Sequence, residues 1–259
     1  MRGIRRALSL SSLGIKQMFS YREDFLIGAV ATGVFHLSSL SAVYLLFSIA
    51  GGINDWSPTD GVFLATVSSL RFALGKIGFW GLSALPRLIA SGDLDRVLLY
   101  PCTPIPVLLL RDLDPLSVLD TAILLGTLVW SFPRCGLSTL SVIAFVVLMV
   151  LGLVATYGFM LLTVSLSFWA KVRNMFPQVF RVLWEFQPYP MTIYPTSLRV
   201  VLTWVVPIAV AVVIPVESLT SRTPILPASL IVGTAAVGHY VLGTVVFRVG
   251  LRRYESTGQ

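Results

Sequence analysis

The length, composition and charge of this chain exclude an ordinary soluble domain. Its 259 residues are 56% hydrophobic and 12% charged, whereas about 25% of the residues in an average globular domain are charged. The formal net charge of +7 does not indicate a nucleic-acid partner, because the basic residues are scattered at the ends of apolar runs, as in positive-inside membrane topology. The composition therefore predicts one integral membrane domain covering residues 1–259.

The N-terminal segment, residues 1–23, comes before the first long apolar run. Wound as a helix, it places basic side chains such as Arg2, Arg5 and Lys16 opposite apolar ones such as Ile4. This pattern predicts a helix lying in the membrane interface, with its basic side towards anionic lipid headgroups. A disordered basic tail is the alternative.

Several apolar runs are long enough to cross a bilayer. A crossing helix needs about 20 apolar residues, and continuous runs favour helices over the alternating strands of a barrel. The predicted membrane bundle covers residues 24–250, and its spans are residues 25–50, 58–90, 116–132, 135–170, 176–194 and 226–249. The fourth run is longer than one straight crossing, so we expect tilt or a kink near Gly152 or Gly158.

The segment of residues 195–217 is apolar but contains Pro207 and Pro215. If it is re-entrant on the extracellular side, most Lys and Arg residues lie inside the cell. If it crosses, the C-terminal arginines, Arg252 and Arg253, move outside. Broken helices at membrane depth are tolerated where protein covers them. The sequence therefore predicts an all-α protein of the cell (inner) membrane, with six transmembrane helices, a re-entrant segment before the last span and both termini in the cytoplasm.

The sequence lacks recognisable catalytic and nucleotide-binding motifs. The two histidines, His36 and His239, lie within apolar runs, and no H-E-x-x-H, G-x-S-x-G or G-x-x-x-x-G-K-[ST] motif occurs. A lone histidine in a span is more often a hydrogen-bonded packing group than a proton relay. We therefore expect no catalytic residue, metal site or cofactor in this chain, and another polypeptide would hold any ATP and Mg²⁺.

Two basic residues, Arg71 and Lys76, fall within the second span. A central Arg or Lys costs ~2.5–3.5 kcal/mol on translocon scales, so each needs a partner or water. One interpretation is a polar translocation pathway or a site that attracts anionic headgroups. The other is structural pairing with Asp120 or Glu185 inside the bundle, or snorkelling of the Lys76 side chain. Both interpretations remain open at this point.

A polar, proline-dotted segment, residues 91–115, follows the second run on the cytoplasmic side. A short amphipathic helix here would present Leu94, Leu98 and Leu99 to a partner groove, with Asp93 and Asp95 near its N-terminus. An interfacial turn is the alternative.

The chain contains a series of short motifs in a characteristic order. They are Tyr21-Arg22-Glu23-Asp24-Phe25, Gly92-Asp93-Leu94-Asp95, Tyr100-Pro101, Phe168-Trp169, Tyr189-Pro190, Ile193-Tyr194-Pro195, Leu198-Arg199, Pro207, Pro215 and Arg253-Tyr254-Glu255-Ser256-Thr257-Gly258. With these motifs in this order, the chain resembles the ABC-2 family of ATP-binding-cassette transporter permeases over nearly its full length.

The resemblance implies the membrane subunit of an exporter, driven by a separate ATPase and paired with a second identical or homologous permease. It assigns ATPase coupling to the loop containing Gly92, Asp93, Leu94, Asp95, Arg96, Leu98 and Leu99. It assigns an extracellular re-entrant region to the segment containing Tyr189, Pro190, Tyr194, Pro195, Pro207 and Pro215. Arg71 and Lys76 belong to no pattern of this family.

Two other functional classes compete with this interpretation. An ATP-independent secondary transporter or channel would use Arg71, Lys76 and His36, and a lipid-modifying membrane enzyme would need a catalytic cluster. The cargo is open, since a fold does not fix its substrate.

Overall fold

The computed structural model describes residues 22–53, 56–100, 103–109, 115–131, 138–170 and 186–255. Ten α-helices are described, here labelled α1 (Arg22–Ile49), α2 (Pro58–Gly78), α3 (Leu85–Ser91), α4 (Leu94–Leu98), α5 (Pro104–Leu109), α6 (Pro115–Ser131), α7 (Thr139–Ser165), α8 (Thr196–Val200), α9 (Ile214–Leu219) and α10 (Ile225–Arg253). Short 3₁₀ segments lie at Trp80–Ala84, Leu166–Phe168 and Met191–Ile193. Two π-helical stretches, Val201–Val205 and Ala209–Val213, lie between α8 and α9.

Within these described ranges, 4 helices are long and apolar enough to cross a membrane, namely α1, α2, α7 and α10. A shorter apolar helix covers Leu116–Trp130, and the bent pair Thr196–Val205 and Ala209–Leu219 makes a fifth span if it counts as one. The described part of the chain is therefore built from helices, and the protein is a multi-pass membrane protein.

Side-chain contacts fix the relative directions of the long helices. Helices α2 and α7 run parallel, because Phe63 meets Phe145 and, further along both helices, Arg71 meets Thr156. Helices α7 and α10 are also parallel, because Phe159 meets His239 and, further along both, Phe168 just past the end of α7 meets Phe247. Helix α1 runs against α2, since Gly61, near the start of α2, contacts Phe47, near the end of α1.

These directions place the ends of α2, α7 and α10 on one side of the bundle. Helices α3, α4 and α5 lie on that side too, because Leu85, Leu94 and Leu108 share a buried cluster with Leu161 and Phe247. We call this side, which carries α3–α5, the loop side.

Two glycines let α7 and α10 meet backbone to backbone. A Cβ on Gly243 would collide with the carbonyl oxygen of Gly158, and a Cβ on Gly158 would collide with the backbone of His239. Gly152 likewise approaches Ala211, whose Cα would lie 2.8 Å from an added Cβ. Small residues permit such close helix contacts inside membranes.

The proline-containing segment folds as two helical limbs, Thr196–Val205 and Ala209–Leu219, bent by 75°. Pro207 stands at the bend, where Val206 is extended at φ −112°. All five residues of Ala209–Val213 are buried. Protein therefore covers this irregular backbone, as a hydrocarbon environment requires.

The structure corrects two expectations from the sequence. The second helix ends at Gly78, not near residue 90, because a 3₁₀ segment and α3 follow it. Helix α7 is continuous through Gly152 and Gly158, both of which approach neighbouring backbone, and the expected tilt or kink stays a prediction. Phe186–Pro190, at the end of the expected fifth span, forms turns. The expected interfacial helix and residues 176–185 lie outside the described residues, so six spans remain an expectation.

A capping box starts α2 on the side opposite α3–α5. The Ser57 hydroxyl accepts a hydrogen bond from the Asp60 N–H, and the Asp60 carboxylate accepts one from the Ser57 N–H. Asp60 also pairs with Arg222 at 2.8 Å, and the Arg222 guanidinium stacks on Trp56, 4.4 Å from the ring centroid. The start of α2 is therefore tied to the turn between α9 and α10.

We expect Ser57→Ala to lower the free energy of unfolding by ~1 kcal/mol, since it removes the hydroxyl that caps α2. Thermal denaturation in detergent measures the effect. Ser38→Ala, on the exposed side of α1, is the control and should leave the melting temperature unchanged. An equal effect of both changes would contradict the capping role.

Candidate functional site

The break between α3 and α4 depends on Gly92. This residue caps α3 in the left-handed conformation, with φ at 76° and ψ at −2°. A side chain is strained at such a positive φ, so glycine is the usual residue at this position of a helix end. The chain then turns directly into the five-residue helix α4.

Polar contacts hold the start of α4. The Ser91 hydroxyl donates to an Asp93 carboxylate oxygen at 2.8 Å, and Arg96 pairs with the other oxygen at 3.4 Å. Both members of the ion pair are well exposed, so it adds little stability. It gives the surface of α4 adjacent positive and negative charges.

The three leucines of this segment differ in exposure. Leu94 is 0% exposed and packs in the core, whereas Leu98 is 39% and Leu99 is 84% exposed. The surface group formed by Asp93, Arg96, Leu98 and Leu99 is hereafter the loop patch. An apolar pair flanked by charges on a short helix fits a protein groove.

The end of α10 lies against this loop. The Tyr254 ring packs on Phe168 with centroids 6.3 Å apart. Burial raises the pKa of the Tyr254 hydroxyl above its ordinary 10.0, and the nearby negative charges of Asp95 and Asp93 add to the rise. The end of α10 and the loop patch therefore lie together on the loop side.

This raised pKa predicts a pH dependence of stability. Because folding favours the neutral phenol, the stabilisation is complete below the unfolded pKa of 10.0 and is lost as the pH rises through the higher folded value. Melting curves from pH 8 upwards measure it. We expect the wild-type protein to lose more stability in the alkaline range than Tyr254→Phe, and parallel curves would refute the buried position of the Tyr254 hydroxyl.

Arg71 is fully buried between α2 and α7. Its Nη1 donates to the Thr156 hydroxyl at 2.7 Å, and that hydroxyl donates to the Gly152 carbonyl at 2.9 Å. Arg71 therefore links α2 to α7.

Lys76 takes part in a second, partly buried polar group, which joins three helices. Its Nζ lies 3.5 Å from Asp120 on α6, and the other Asp120 oxygen lies 3.2 Å from His36 Nε2 on α1. The pairing of Lys76 with Asp120, one of the two interpretations open from the sequence, is confirmed. Glu185, the other suggested partner, lies outside the described residues.

The residues assigned to a re-entrant region are brought together around a turn. The Tyr194 hydroxyl donates to the Phe186 carbonyl at 3.2 Å. The Ser68 hydroxyl donates to Gln187 at 3.1 Å. This bond holds the turn beside the middle of α2.

Prolines mark the boundaries of this region. Pro190 precedes the 3₁₀ segment Met191–Ile193, and Pro195 is the N-cap residue of α8. Pro207 stands at the bend, and Pro215 lies where the π-helical stretch Ala209–Val213 passes into α9.

Comparison with protein families assigns the chain. The model of the family described as ABC-2 family transporter protein matches residues 34–258, which includes every helix from α2 to α10. The chain belongs to the ABC-2 transporter family. Searches of curated proteins and of solved structures found no match.

Family membership makes this ABC-2 protein a permease component of an ABC transporter, and such permeases work with ABC ATPase subunits. The family match and the apolar helices together show a multi-pass membrane protein. The resemblance seen in the sequence motifs is confirmed.

In the structure of the ABC-2 permease, the site residues predicted from the sequence fall into three separate regions. These are the loop with its patch, the polar contacts of Arg71 and Lys76, and the turn and bent segment that contain the prolines. Arg71 and Lys76 do not share one site, since they bond to different helices. Sequence reasoning missed the joint contact of His36, Asp120 and Lys76. The sequence signal for this contact was a histidine, His36, in one apolar run and a carboxylate, Asp120, in another.

Proposed function

We propose that this ABC-2 permease is the membrane subunit of an exporter, moved by a separate ATPase that docks on the loop patch. Two permeases, identical or homologous, would pair in the cell membrane above two ATPases. ATP-driven closure of the ATPases would push the loop and switch the permease dimer between inward and outward exposure.

The observation that carries this proposal is the exposure of Leu98 and Leu99 beside Asp93 and Arg96. Leu99 projects from a helix whose opposite side, through Leu94, is anchored in the core. A push on the patch would therefore reach the bundle directly, since the buried cluster around Leu94 includes the ends of α7 and α10.

The distribution of basic residues supports a cytoplasmic loop side. Arg87 and Arg96 lie in α3 and α4, and the end of α10 carries Arg252 and Arg253. Arg222 lies on the other side, beside the start of α2. The positive-inside rule then places the loop patch and the end of α10 in the cytoplasm.

The sequence supports the proposal that the ATP-binding site lies on another chain. No G-x-x-x-x-G-K-[ST] phosphate loop occurs in the 259 residues, so ATP and Mg²⁺ would be held by the partner. Exposed apolar side chains along α1, α7 and α10 suit contact with lipid tails or with a second permease.

Co-purification tests the proposal. Tagged permease extracted from native membranes in mild detergent should bring down an ABC ATPase, and the complex should hydrolyse ATP. Transport of cargo by permease reconstituted without any ATPase would instead support a secondary transporter or channel and would overturn the proposal.

A further inference from the structure

A cavity of about 720 Å³ lies between α1, α2 and α6 and the turn that follows Gln187. The volume falls within the range of small-molecule sites, which are about 300–1,000 Å³. Helices α1 and α2 are antiparallel, and the contact of Phe47 with Gly61 sets their register. Eight residues from this contact along each helix, Ser39 of α1 lies level with Ser69 of α2, and both line the cavity.

The charged side chains of the described lining lie at one end of the cavity. Asp120 is 3.5 Å from Lys76 through one oxygen and 3.2 Å from His36 through the other, and Lys76 also lies 5.7 Å from the ring centroid of Phe72. The charges of Lys76 and Asp120 cancel. A ligand with a net charge would therefore bring an unbalanced charge to membrane depth, where a charge needs a partner.

The other end of the cavity carries hydroxyl groups. Ser39, Ser68 and Ser69, hereafter the serine end, line it, and Ser69 lies seven residues, or about 10 Å, along α2 from Lys76. The Ser68 hydroxyl donates to Gln187 at 3.1 Å and keeps its lone pairs to accept.

Two hydroxyls of the serine end differ from their neighbour Thr66, which donates to the Val62 carbonyl of its own helix. Among the described residues, the hydroxyls of Ser39 and Ser69 have no hydrogen-bond partner. A hydroxyl away from water is costly without a partner. The serine end therefore suits a neutral ligand group that both donates and accepts hydrogen bonds, as an alcohol does.

The cavity reaches the lipid-facing surface of α1 beside Phe35. This residue lines the cavity and is 66% exposed. A ligand could therefore hold a hydroxylated head at the serine end while its apolar tail passes Phe35 into lipid.

We propose that this cavity binds a neutral amphiphile with a hydroxylated head, held by Ser39, Ser68 and Ser69, and with its tail along Phe35. The inference goes beyond the proposed transport function, which concerns the loop patch. Its test uses the permease without an ATPase, so its failure would leave the ATPase assignment untouched.

Photo-crosslinking of the purified permease in phosphatidylcholine nanodiscs tests the site. The probe is monoolein, a neutral glycerol ester with two free hydroxyl groups, carrying a diazirine in its chain. We expect adducts on the residues of α1 and α2 that line the cavity. Unlabelled monoolein should compete about tenfold better than methyl oleate, which has the same chain and no hydroxyl, because two neutral hydrogen bonds together provide about this factor. Oleyl sulfate and oleyltrimethylammonium should compete more weakly than monoolein, because each head carries a net charge.

Serine variants connect this preference to the serine end. Ser39→Ala combined with Ser69→Ala removes two hydroxyls without changing any charge, and monoolein should then compete no better than methyl oleate. Ser38→Ala, on the exposed side of α1 and outside the described lining, is the matched control and should retain the tenfold advantage. Ser69→Phe, which fills the cavity, should remove the cavity adducts and keeps the test decisive if the double variant does not fold.

Several results would overturn the inference. They are equal competition by monoolein and methyl oleate in the wild-type protein, stronger competition by either charged probe, the full advantage of monoolein in the double variant, and unchanged cavity adducts in Ser69→Phe. Displacement of the probe by millimolar glycerol would overturn the amphiphile assignment, because it would show a site for a free polyol.

Discussion

Gly243→Ala should destabilise the permease, although alanine is the better helix former. Helices α7 and α10 touch at their backbones here, and an added Cβ would collide with the Gly158 carbonyl. Rigid backbone cannot move aside as a flexible side chain can, so overpacking should cost ~1–3 kcal/mol. Thermal denaturation in detergent measures the loss, and a larger residue such as leucine should prevent accumulation of folded protein.

A matched control lies one and a half turns away on the same helix. A Cβ on Gly238 meets no atom within 4 Å, so Gly238→Ala should stabilise α10 by up to ~1 kcal/mol, the helix-propensity difference. The two variants therefore have opposite expected signs. A neutral or stabilising Gly243→Ala would show that α7 and α10 do not meet as described.

The largest functional effect is expected for the double variant Leu98→Asp with Leu99→Asp. Both side chains are exposed in the permease, so the fold should survive. If an ATPase buries them, each lost leucine removes about 1.5–3 kcal/mol of apolar contact. ATPase binding should then weaken at least a hundredfold, and hydrolysis should no longer drive transport.

Leu94→Ala separates docking from folding. Leu94 is fully buried, so its truncation should cost about 2–5 kcal/mol of stability and lower the melting temperature. The double variant should keep the wild-type melting temperature while losing the ATPase. Coupled transport at the wild-type rate in the double variant would remove the loop patch from the mechanism.

The sequence predicted the long helices well because their signal is local. The apolar runs of α1, α7 and α10 need no knowledge of their neighbours. The end of α2 at Gly78 was missed because the following residues stay apolar. Phe79, Leu82 and Leu85 are buried in the cluster beneath α4, so their hydrophobicity reflects packing on the loop side and not a longer span.

One part of the candidate site, the break between α3 and α4, could be predicted because it depends on the backbone conformation of a glycine. Gly92 marked the loop break, and the structure places it in the left-handed conformation. The inward direction of Leu94 could not be read, because five residues of helix give too little periodicity to orient a face. The contact of His36 with Asp120 joins positions 84 apart, and no sequence spacing signals such a pairing.

A photo-crosslinking amino acid at position 99 tests the central claim most directly. Leu99, which directly follows α4, is 84% exposed, so in living cells the crosslinker should form an adduct between the permease and an ABC ATPase. The same crosslinker in place of Arg222, on the opposite side of the bundle, should form none. An adduct with the ATPase from position 222 but not from position 99 would contradict the proposed orientation and its docking surface.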